Sequence, residues 1–221
     1  MKEKVIVCTS AGKDSTFALY KILKDKKYEV ITFLTTVTED YDRISMHGVR
    51  RVLLEQYAES LGLPLEIILI SKKADNVQYE QRMNAVLKKY QKQGVNSVVF
   101  GDLFLEDIRE YREKNLAKIG MKGLFPLWGM DTKKLANQFI KLGFKAVISC
   151  VDPKQIDKSF AGRFFDKQFL KDLPKTADHC GEKGEFHSFV FDGPIFKRKI
   201  SLKKGKIVER AGFWFCDLIP A

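Results

Sequence analysis

The hexapeptide Ser10-Ala-Gly-Lys-Asp-Ser15 places small, hydroxyl and cationic side chains between an apolar segment and an amphipathic one. Small residues let the backbone curl so that several N–H groups point at one anion, and a helix start adds the positive end of its dipole. Ser10 and Ser15 add hydroxyl donors, and Lys13 adds a positive charge. The loop therefore suits a polyphosphate, although serine and aspartate beside a helix start also serve in simple helix capping.

The loop differs from a Walker A loop, which has a glycine four residues before its Gly-Lys pair and Ser or Thr directly after the lysine. Here Val7 stands at the position of that glycine, and Asp14 follows Lys13. An acidic side chain repels phosphate unless a cation lies between the two. We therefore predict that Asp14 contacts Mg²⁺, which carboxylates and phosphates commonly share.

A second candidate site is the segment from Cys180 to His187, in which Glu182, Glu185 and His187 surround a glycine. Gly184 lets the chain approach a ligand closely, and the carboxylates could receive a proton from an amine. The segment also reads as an ordinary charged turn that leads into a strand. Cys180 is a weaker candidate, because a catalytic thiolate needs a positive neighbour such as His179 or Lys183.

Predicted strands and helices alternate through the first half of the chain. Strands are predicted at 5–9, 29–36, 66–70 and 97–100, and helices at 14–26, 49–61, 75–93 and 104–118. This alternation predicts an α/β fold with a parallel sheet covered on both faces. Ligands bind such sheets at the carboxyl ends of the strands, so the loops after Thr9, Thr36, Ile70 and Phe100 are the places to look.

Two further residues lie at that expected edge. Asp102 follows the fourth strand, where it could face a ligand across the strand tips, cap the next helix, or do both. His47 precedes the second helix, and its side chain either contacts the ligand or plays a structural role.

The pattern changes after residue 127, and we place a domain boundary there. A short strand is predicted within 123–128, a helix at 132–142 and a strand at 146–151. A helix is predicted at 164–173, and antiparallel strands at 186–191, 199–202 and 207–215, with Lys204-Gly205 at a turn. The expected architecture is a parallel-sheet domain at 1–127 and a smaller α+β domain at 128–221.

Composition narrows the class of protein. The chain has 45% hydrophobic and 30% charged residues, as in a globular protein, and a formal net charge of +11, which favours anionic partners. The sequence contains no run of about 18 apolar residues, so no membrane span is predicted. The four cysteines form no Cys-x-x-Cys pair, so we expect reduced thiols and a cytoplasmic location.

The loop from Ser10 to Ser15 resembles the SGGxDS loop of the N-type ATP pyrophosphatases, the PP-loop or adenine nucleotide α-hydrolase-like group, with Ala11 replacing the first glycine. Further motifs together resemble the diphthine–ammonia ligase-like ATP-binding family: Gly101-Asp102, the helix at 106–110, Pro126-Leu-Trp-Gly129, the segment 181–187 and Asp192-Gly-Pro194. The diphthine–ammonia ligase branch carries Gly and Glu where this chain has Lys183 and His187. The chain therefore looks closer to a sister branch.

The resemblance implies a Rossmann-like domain of the HUP type and an AMP- and pyrophosphate-forming ligase. Such enzymes split ATP between its α- and β-phosphates and adenylate a carbonyl oxygen, which ammonia or an amine then attacks. Residues 10–15 with Gly101 and Asp102 would bind ATP, Lys13 and Asp14 would act in catalysis with Mg²⁺, and the adenine would lie near Thr35. Glu182, Glu185, His187 and His47 would contact the acceptor, a small or protein-borne carboxylate, and Glu182 and Glu185 would also act in catalysis.

Two other functions stay open at this point. The basic stretch 197–199 with Lys203, Lys204 and Lys206 permits an RNA-modifying enzyme, but it reads more simply as the exposed face of a hairpin. A nucleotide-binding regulator without turnover is the other alternative. We expect no nucleic-acid partner, and a homodimer is compatible with the sequence.

Overall fold

Five parallel strands form the centre of the first sheet in the computed structural model, which describes all 221 residues. They are β1 (Glu3–Cys8), β2 (Tyr28–Thr38), β4 (Leu65–Ile70), β5 (Ser97–Val99) and β6 (Lys122–Leu124). Their order across the sheet is β4-β2-β1-β5-β6, and the short strand β3 (Arg43–Ile44) adds antiparallel pairing to the end of β2. The predicted parallel α/β sheet is confirmed.

Helices cover both faces of this sheet, because its central strands are apolar on both sides. The helices are α1 (Lys13–Lys24), α2 (Arg51–Leu61), α3 (Asn76–Gln91) and α4 (Glu106–Ala117). Val5 and Val7 of β1 pack into the core that contains α1 and α2, whereas Ile6 packs into a smaller core with α3 and α4. The alternation of β1 side chains thus builds one core on each face.

The strand order reverses at β1. From β1 the chain runs outward through β2 and β4, then crosses to the other side to form β5 and β6. In open α/β sheets such a reversal leaves a crevice at the carboxyl ends of the strands, where ligands bind. The crevice here lies between the loop after β1 and the loop after β5.

The second sheet is antiparallel, with strand order β8-β7-β10-β9. Its strands are β7 (Lys145–Val151), β8 (Phe186–Asp192), β9 (Leu202–Arg210) and β10 (Phe213–Pro220). Along the chain, helix α5 (Thr132–Lys141) precedes β7, and helix α6 (Lys167–Asp172) lies between β7 and β8. Short 3-10 helices lie at Glu39–Tyr41 and Lys158–Phe160.

One hydrophobic core joins the two sheets. It contains 41 buried residues drawn from both, and Phe17 of α1 packs edge-on against Phe139 and Phe144 with ring centroids 6.1 Å away. The Val190 N–H of β8 also donates to the Ala11 carbonyl at 2.8 Å. Residue 127 lies between the two sheets along the chain, and the larger core is shared by both parts, whereas the smaller core with α3 and α4 belongs to the first part alone.

The last hairpin differs from the prediction. Lys204-Gly205 lies inside β9 rather than at a turn, and the turn is at Ala211-Gly212, both with positive φ. The strands predicted at 199–202 and 207–215 are wrong for this reason. Gly205 lies in a bulge of β9, where Gly205 and Lys206 face the single residue Asp217 of β10 and a Cβ on Gly205 would lie 2.8 Å from Ile219, so this glycine marks a bulge instead of a turn.

Two smaller differences concern element limits. The helix predicted at 164–173 is only the six-residue α6, because Asp166 caps its start by accepting the Phe169 N–H at 2.8 Å. Strand β3 was not predicted, since two residues carry no periodicity. No helix combines the length and apolar character that a membrane crossing requires.

Candidate active site

A cavity of about 530 Å³ opens at the carboxyl ends of the parallel strands. We call it the sheet-edge cavity. Its walls come from the loop after β1, the end of β2, the 44–47 loop, Gly101 and Asp102 after β5, the inner sides of α3 and α4, and residues 181–188. The loops after the first, second and fourth parallel strands line it, as expected, but the loop directly after Ile70 does not.

The loop after β1 is held by hydrogen bonds and leaves N–H groups free. Ala11 adopts a left-handed conformation with φ of 55°, and its N–H donates to Thr9 Oγ1 at 2.9 Å. The N-cap of α1 is Gly12, with no side-chain cap. The N–H groups of Gly12, Asp14 and Ser15 donate to no protein acceptor, so an anion at the start of α1 would satisfy them. The simple capped turn is not observed.

Two glycines let neighbouring segments approach this loop. A Cβ on Gly101 would lie 2.7 Å from the Ser15 nitrogen, and one on Gly12 would lie 2.9 Å from Cε1 of His47. Contacts below 3.0 Å are sterically forbidden for a real Cβ atom. Glycine at both positions therefore lets the neighbouring segments pack closely against the loop after β1.

Lys13 is buried and faces its sequence neighbour and the second sheet. Its Nζ lies 2.7 Å from Oδ2 of Asp14, and it also donates to the Cys180 carbonyl. Burial opposes the charge, but Asp14, Cys180 and Glu182 more than offset it and raise the pKa of Lys13. The ammonium is thus a fixed positive charge at the cavity wall.

Asp14 has one carboxylate oxygen without a partner. Its Oδ1 is buried and makes no hydrogen bond, and burial raises the pKa of this carboxyl despite the adjacent Lys13. A buried unpaired oxygen is costly unless a ligand satisfies it. The donor fits Mg²⁺, which binds through one or two carboxylates plus substrate phosphates rather than an all-protein cage. No group of three or more potential ligands is preassembled.

The end of β2 and the loop after β5 complete the wall around the loop after β1. Thr35 lines the cavity, and its hydroxyl donates to the Thr9 carbonyl, which ties β2 to the loop after β1. Asp102 lines the cavity as an ion pair with Arg112, whose Nε lies 2.8 Å from Oδ2. The capping alternative for Asp102 is wrong, because the N-cap of α4 is Leu105 and has no side-chain cap.

The turn at 178–187 is stabilised largely by its own carboxylates. Glu185 is 1% exposed, and its oxygens accept the N–H groups of Asp178 at 2.7 Å and Lys183 at 3.0 Å. Asp178 in turn accepts the Cys180 N–H at 2.9 Å. Glu185 does not line the sheet-edge cavity, which conflicts with its predicted contact to the acceptor. Its side chain shapes the turn instead.

Glu182 is the carboxylate of this turn that reaches the cavity. Its Oε1 accepts the Leu103 N–H at 2.7 Å, which fixes the side chain across the crevice. Burial raises the pKa of Glu182 to about 7, and the nearby carboxylates of Asp14 and Asp102 add to the shift. A carboxylate with a pKa near neutrality is suited to accept and release protons.

His47 and His187 stack against each other, with ring centroids 4.5 Å apart. Both line the cavity, and Nδ1 of His47 lies 3.2 Å from the Ser188 carbonyl. Burial and Lys13 lower the pKa of His187 to about 4. Burial, His187 and Lys13 lower the pKa of His47 well below its ordinary value. Both rings are therefore neutral at pH 7.

Cys180 is not placed for thiolate chemistry. It is buried, its Sγ contacts the Thr132 carbonyl at 3.4 Å, and burial raises the pKa of the thiol. All four cysteines are free.

Sequence reasoning missed two residues of the site. Arg112 of α4 pairs with Asp102 over the Phe100 ring, and Ser188 of β8 accepts the Lys13 N–H at 3.2 Å. Arg112 follows Asp102 by ten residues in a helix full of charges. Ser188 is one residue from His187 but 175 from Lys13. Neither position carries a signal that separates it from its neighbours.

Two protein-family models match this chain along most of its length. A family model described as the diphthamide synthase N-terminal domain matches residues 3–123, and one described as the diphthamide synthase C-terminal domain matches residues 131–218. A solved structure described as a predicted subunit of tRNA methyltransferase from Methanocaldococcus jannaschii is similar at 19% identity. It covers 65% of this chain and 77% of that one, with a TM-score of 0.43.

Several curated relatives are named diphthine–ammonia ligase. The protein from Schizosaccharomyces pombe is 28% identical over 97% of this chain, but the chain spans only 38% of that relative. The Bos taurus protein is 24% identical over 97% of this chain and 88% of its own length, and the Homo sapiens protein 22% over 93% and 85%. Since the two family models together match nearly the whole chain, this protein belongs to the diphthamide synthase family.

Proposed function

We propose that the protein is an ATP-dependent ligase that forms AMP and pyrophosphate while joining ammonia or an amine to a carboxylate acceptor. The observation that carries this proposal is the shared cavity. It brings the free N–H groups at the start of α1 and the Lys13–Asp14 pair together with Glu182. The names of the curated relatives support the same reaction type.

The phosphate loop supplies the anion-binding half of the site. The N–H groups of Gly12, Asp14 and Ser15 and the Ser10 and Ser15 hydroxyls would hold the pyrophosphate part of ATP. Preorganised donors of this kind stabilise charge that develops as a bond to the leaving group breaks. Lys13 would offset that charge, and Thr35 at the end of β2 lies where the nucleoside would extend.

Asp14 would hold Mg²⁺ through Oδ1, the oxygen that makes no protein contact. When bound, the ion would neutralise part of the phosphate charge. Asp14 itself keeps its other oxygen on Lys13, at 2.7 Å, and so fixes the ammonium at the loop.

Glu182 would take the proton that the nitrogen nucleophile loses as it attacks the activated carbonyl. The carboxylate has a fixed orientation through Leu103 and a pKa of about 7, so it can accept a proton at neutral pH. His47 and His187 would line the acceptor end, and Glu185 would hold the turn that presents Glu182.

The test is ATP turnover in the presence of ammonium and candidate acceptors. We expect AMP and pyrophosphate to form in equal amounts, dependent on an acceptor from a panel of carboxylate metabolites and elongation factor carrying diphthine. Binding of ATP without AMP formation under any of these conditions would favour a regulator without turnover. Failure of calorimetry to detect ATP binding in the presence of magnesium would contradict the proposal.

A further inference from the structure

The pair formed by His47 and His187 lies directly against the phosphate loop. A Cβ on Gly12 would meet Cε1 of His47 at 2.9 Å, and the two rings stack with centroids 4.5 Å apart. Lys13, which follows Gly12, donates its N–H to Ser188, the neighbour of His187. Loop, helix start and histidine pair thus form one continuous wall.

The hydrogen bonds define what each ring offers to a ligand. Nδ1 of His47 faces the Ser188 carbonyl at 3.2 Å, and since a carbonyl only accepts, Nδ1 carries the hydrogen. The neutral ring then has a bare lone pair on Nε2. No protein atom bonds to that nitrogen or to either ring nitrogen of His187, and both side chains line the cavity.

Burial, followed by the charges that face the pair, keeps it neutral in the free protein. The Lys13 ammonium of α1 lowers the pKa of both rings, and His187 also lowers the pKa of His47. Asp14 on α1 and Glu182 in the 178–187 turn line the same cavity. A polyphosphate in this cavity would reverse the balance, because its negative charge favours protonated imidazole.

We propose that His47 and His187 extend the phosphate-binding loop, remaining neutral in the free protein and taking up a proton from solvent when a polyphosphate binds. The inference rests on the proposed function, since it assumes that the cavity takes ATP or pyrophosphate. The protonated His47 keeps its Nδ1–H on Ser188 and donates through Nε2 to the anion. The phosphate site is therefore completed only after ligand entry.

Linkage fixes the sign of the pH dependence. Because the complex binds more protons than the free protein, affinity for the polyphosphate is highest at low pH and falls as pH rises. The fall is up to about tenfold per pH unit for each proton taken up. Glu182, with a pKa of about 7, titrates in the same range, so its contribution must be separated.

The experiment is calorimetry of the full chain with inorganic pyrophosphate and with an α,β-methylene ATP analogue, each with magnesium. Binding enthalpy is measured at pH 7 in buffers of different ionisation enthalpy, which gives the protons taken up. The proteins compared are the wild type, His47→Gln and His187→Gln, all repeated in a Glu182→Gln background. The matched control is His179→Gln, because His179 is the one other histidine of the chain and does not line the cavity.

We expect net proton uptake by the wild type and a clear loss of this uptake in His47→Gln and His187→Gln. The control His179→Gln should take up as many protons as the wild type. Binding without uptake, or uptake that both substitutions leave unchanged, would overturn the inference and leave the proposed function intact. Absence of binding by both anions would overturn the proposed function and the inference together. Imidazole NMR of the wild type, with and without pyrophosphate, gives the same answer without a variant that could misfold.

Discussion

The phosphate loop at 10–15 and the acidic turn at 178–187 have similar residue types and opposite organisation. The loop keeps the N–H groups of Gly12, Asp14 and Ser15 free for a ligand. In the turn, the carboxylates of Asp178 and Glu185 consume the backbone N–H groups. Glu182 is the one carboxylate of the turn that lines the cavity. A short segment with glycine and acidic residues therefore indicates a tightly turned backbone. Whether such a segment can bind an anion depends on whether its backbone N–H groups are left free.

The largest effect should come from Lys13→Met in the phosphate loop. Loss of a preorganised charge at a developing anion costs about 10²–10³-fold in rate, so acceptor-dependent AMP formation should fall by that factor. Lys24→Met, at the exposed end of the same helix, is the control. Undiminished AMP formation by Lys13→Met would remove the loop from the reaction, and a melting curve checks that the variant folds.

The two glutamates of the turn should respond to substitution in different ways. Glu182→Gln should reduce acceptor-dependent AMP formation by about 10²-fold or more, the scale of general-base catalysis, and abolish a pH dependence near 7. Glu185→Gln should instead lower the free energy of unfolding by about 1–3 kcal/mol, because a buried hydrogen bond is lost. Urea unfolding and rate measurements on both variants separate these outcomes, and the reverse pattern would contradict the division of roles.

A third carboxylate, Asp217 of β10, holds the loop that carries His47. It pairs with Arg50 at 2.7 Å and Arg43 at 3.0 Å, which bracket that loop, and its bonds to Arg50 and then Arg43 lower the pKa of its carboxyl. Asp217→Asn should cost about 1–3 kcal/mol of unfolding free energy at pH 7. The stabilisation is present above the unfolded pKa, near 4, and is lost as pH falls through the lower folded value.

The difference between wild type and Asp217→Asn should therefore shrink in urea unfolding below about pH 4. Glu59→Gln is the control, since the Arg198–Glu59 pair is exposed and such pairs contribute about 0–1 kcal/mol. An Asp217→Asn variant no less stable than this control would show that the pairing does not hold the loop.

The smallest effect should come from Ala11→Gly. Ala11 has a φ of 55°, a conformation in which glycine is unstrained. Relief of this strain, partly offset by greater freedom in the unfolded chain, should raise the free energy of unfolding by up to about 1 kcal/mol. Thermal melting of the two proteins measures it, and a marked loss of stability would show that the buried methyl group of Ala11 contributes more than the strain costs.

Much of the first sheet could be predicted from the sequence, because its strands are apolar on both faces and its helices have one apolar side. The ends of β1, β2 and β5 then had to meet at one edge. The last hairpin could not be predicted, since Lys204-Gly205 looks like a turn in sequence. Only the pairing with β10 shows that Gly205 lies in a bulge of β9.

The sequence by itself determined the parallel sheet, the position of the loop at 10–15 and the turn around Glu182, because each depends on patterns among neighbouring residues. Tertiary structure alone decided which carboxylate reaches the cavity, that Lys13 lies against Cys180, and that His47 stacks on His187. These contacts join residues more than 100 positions apart, so they follow from how the two sheets pack around one core rather than from any local pattern.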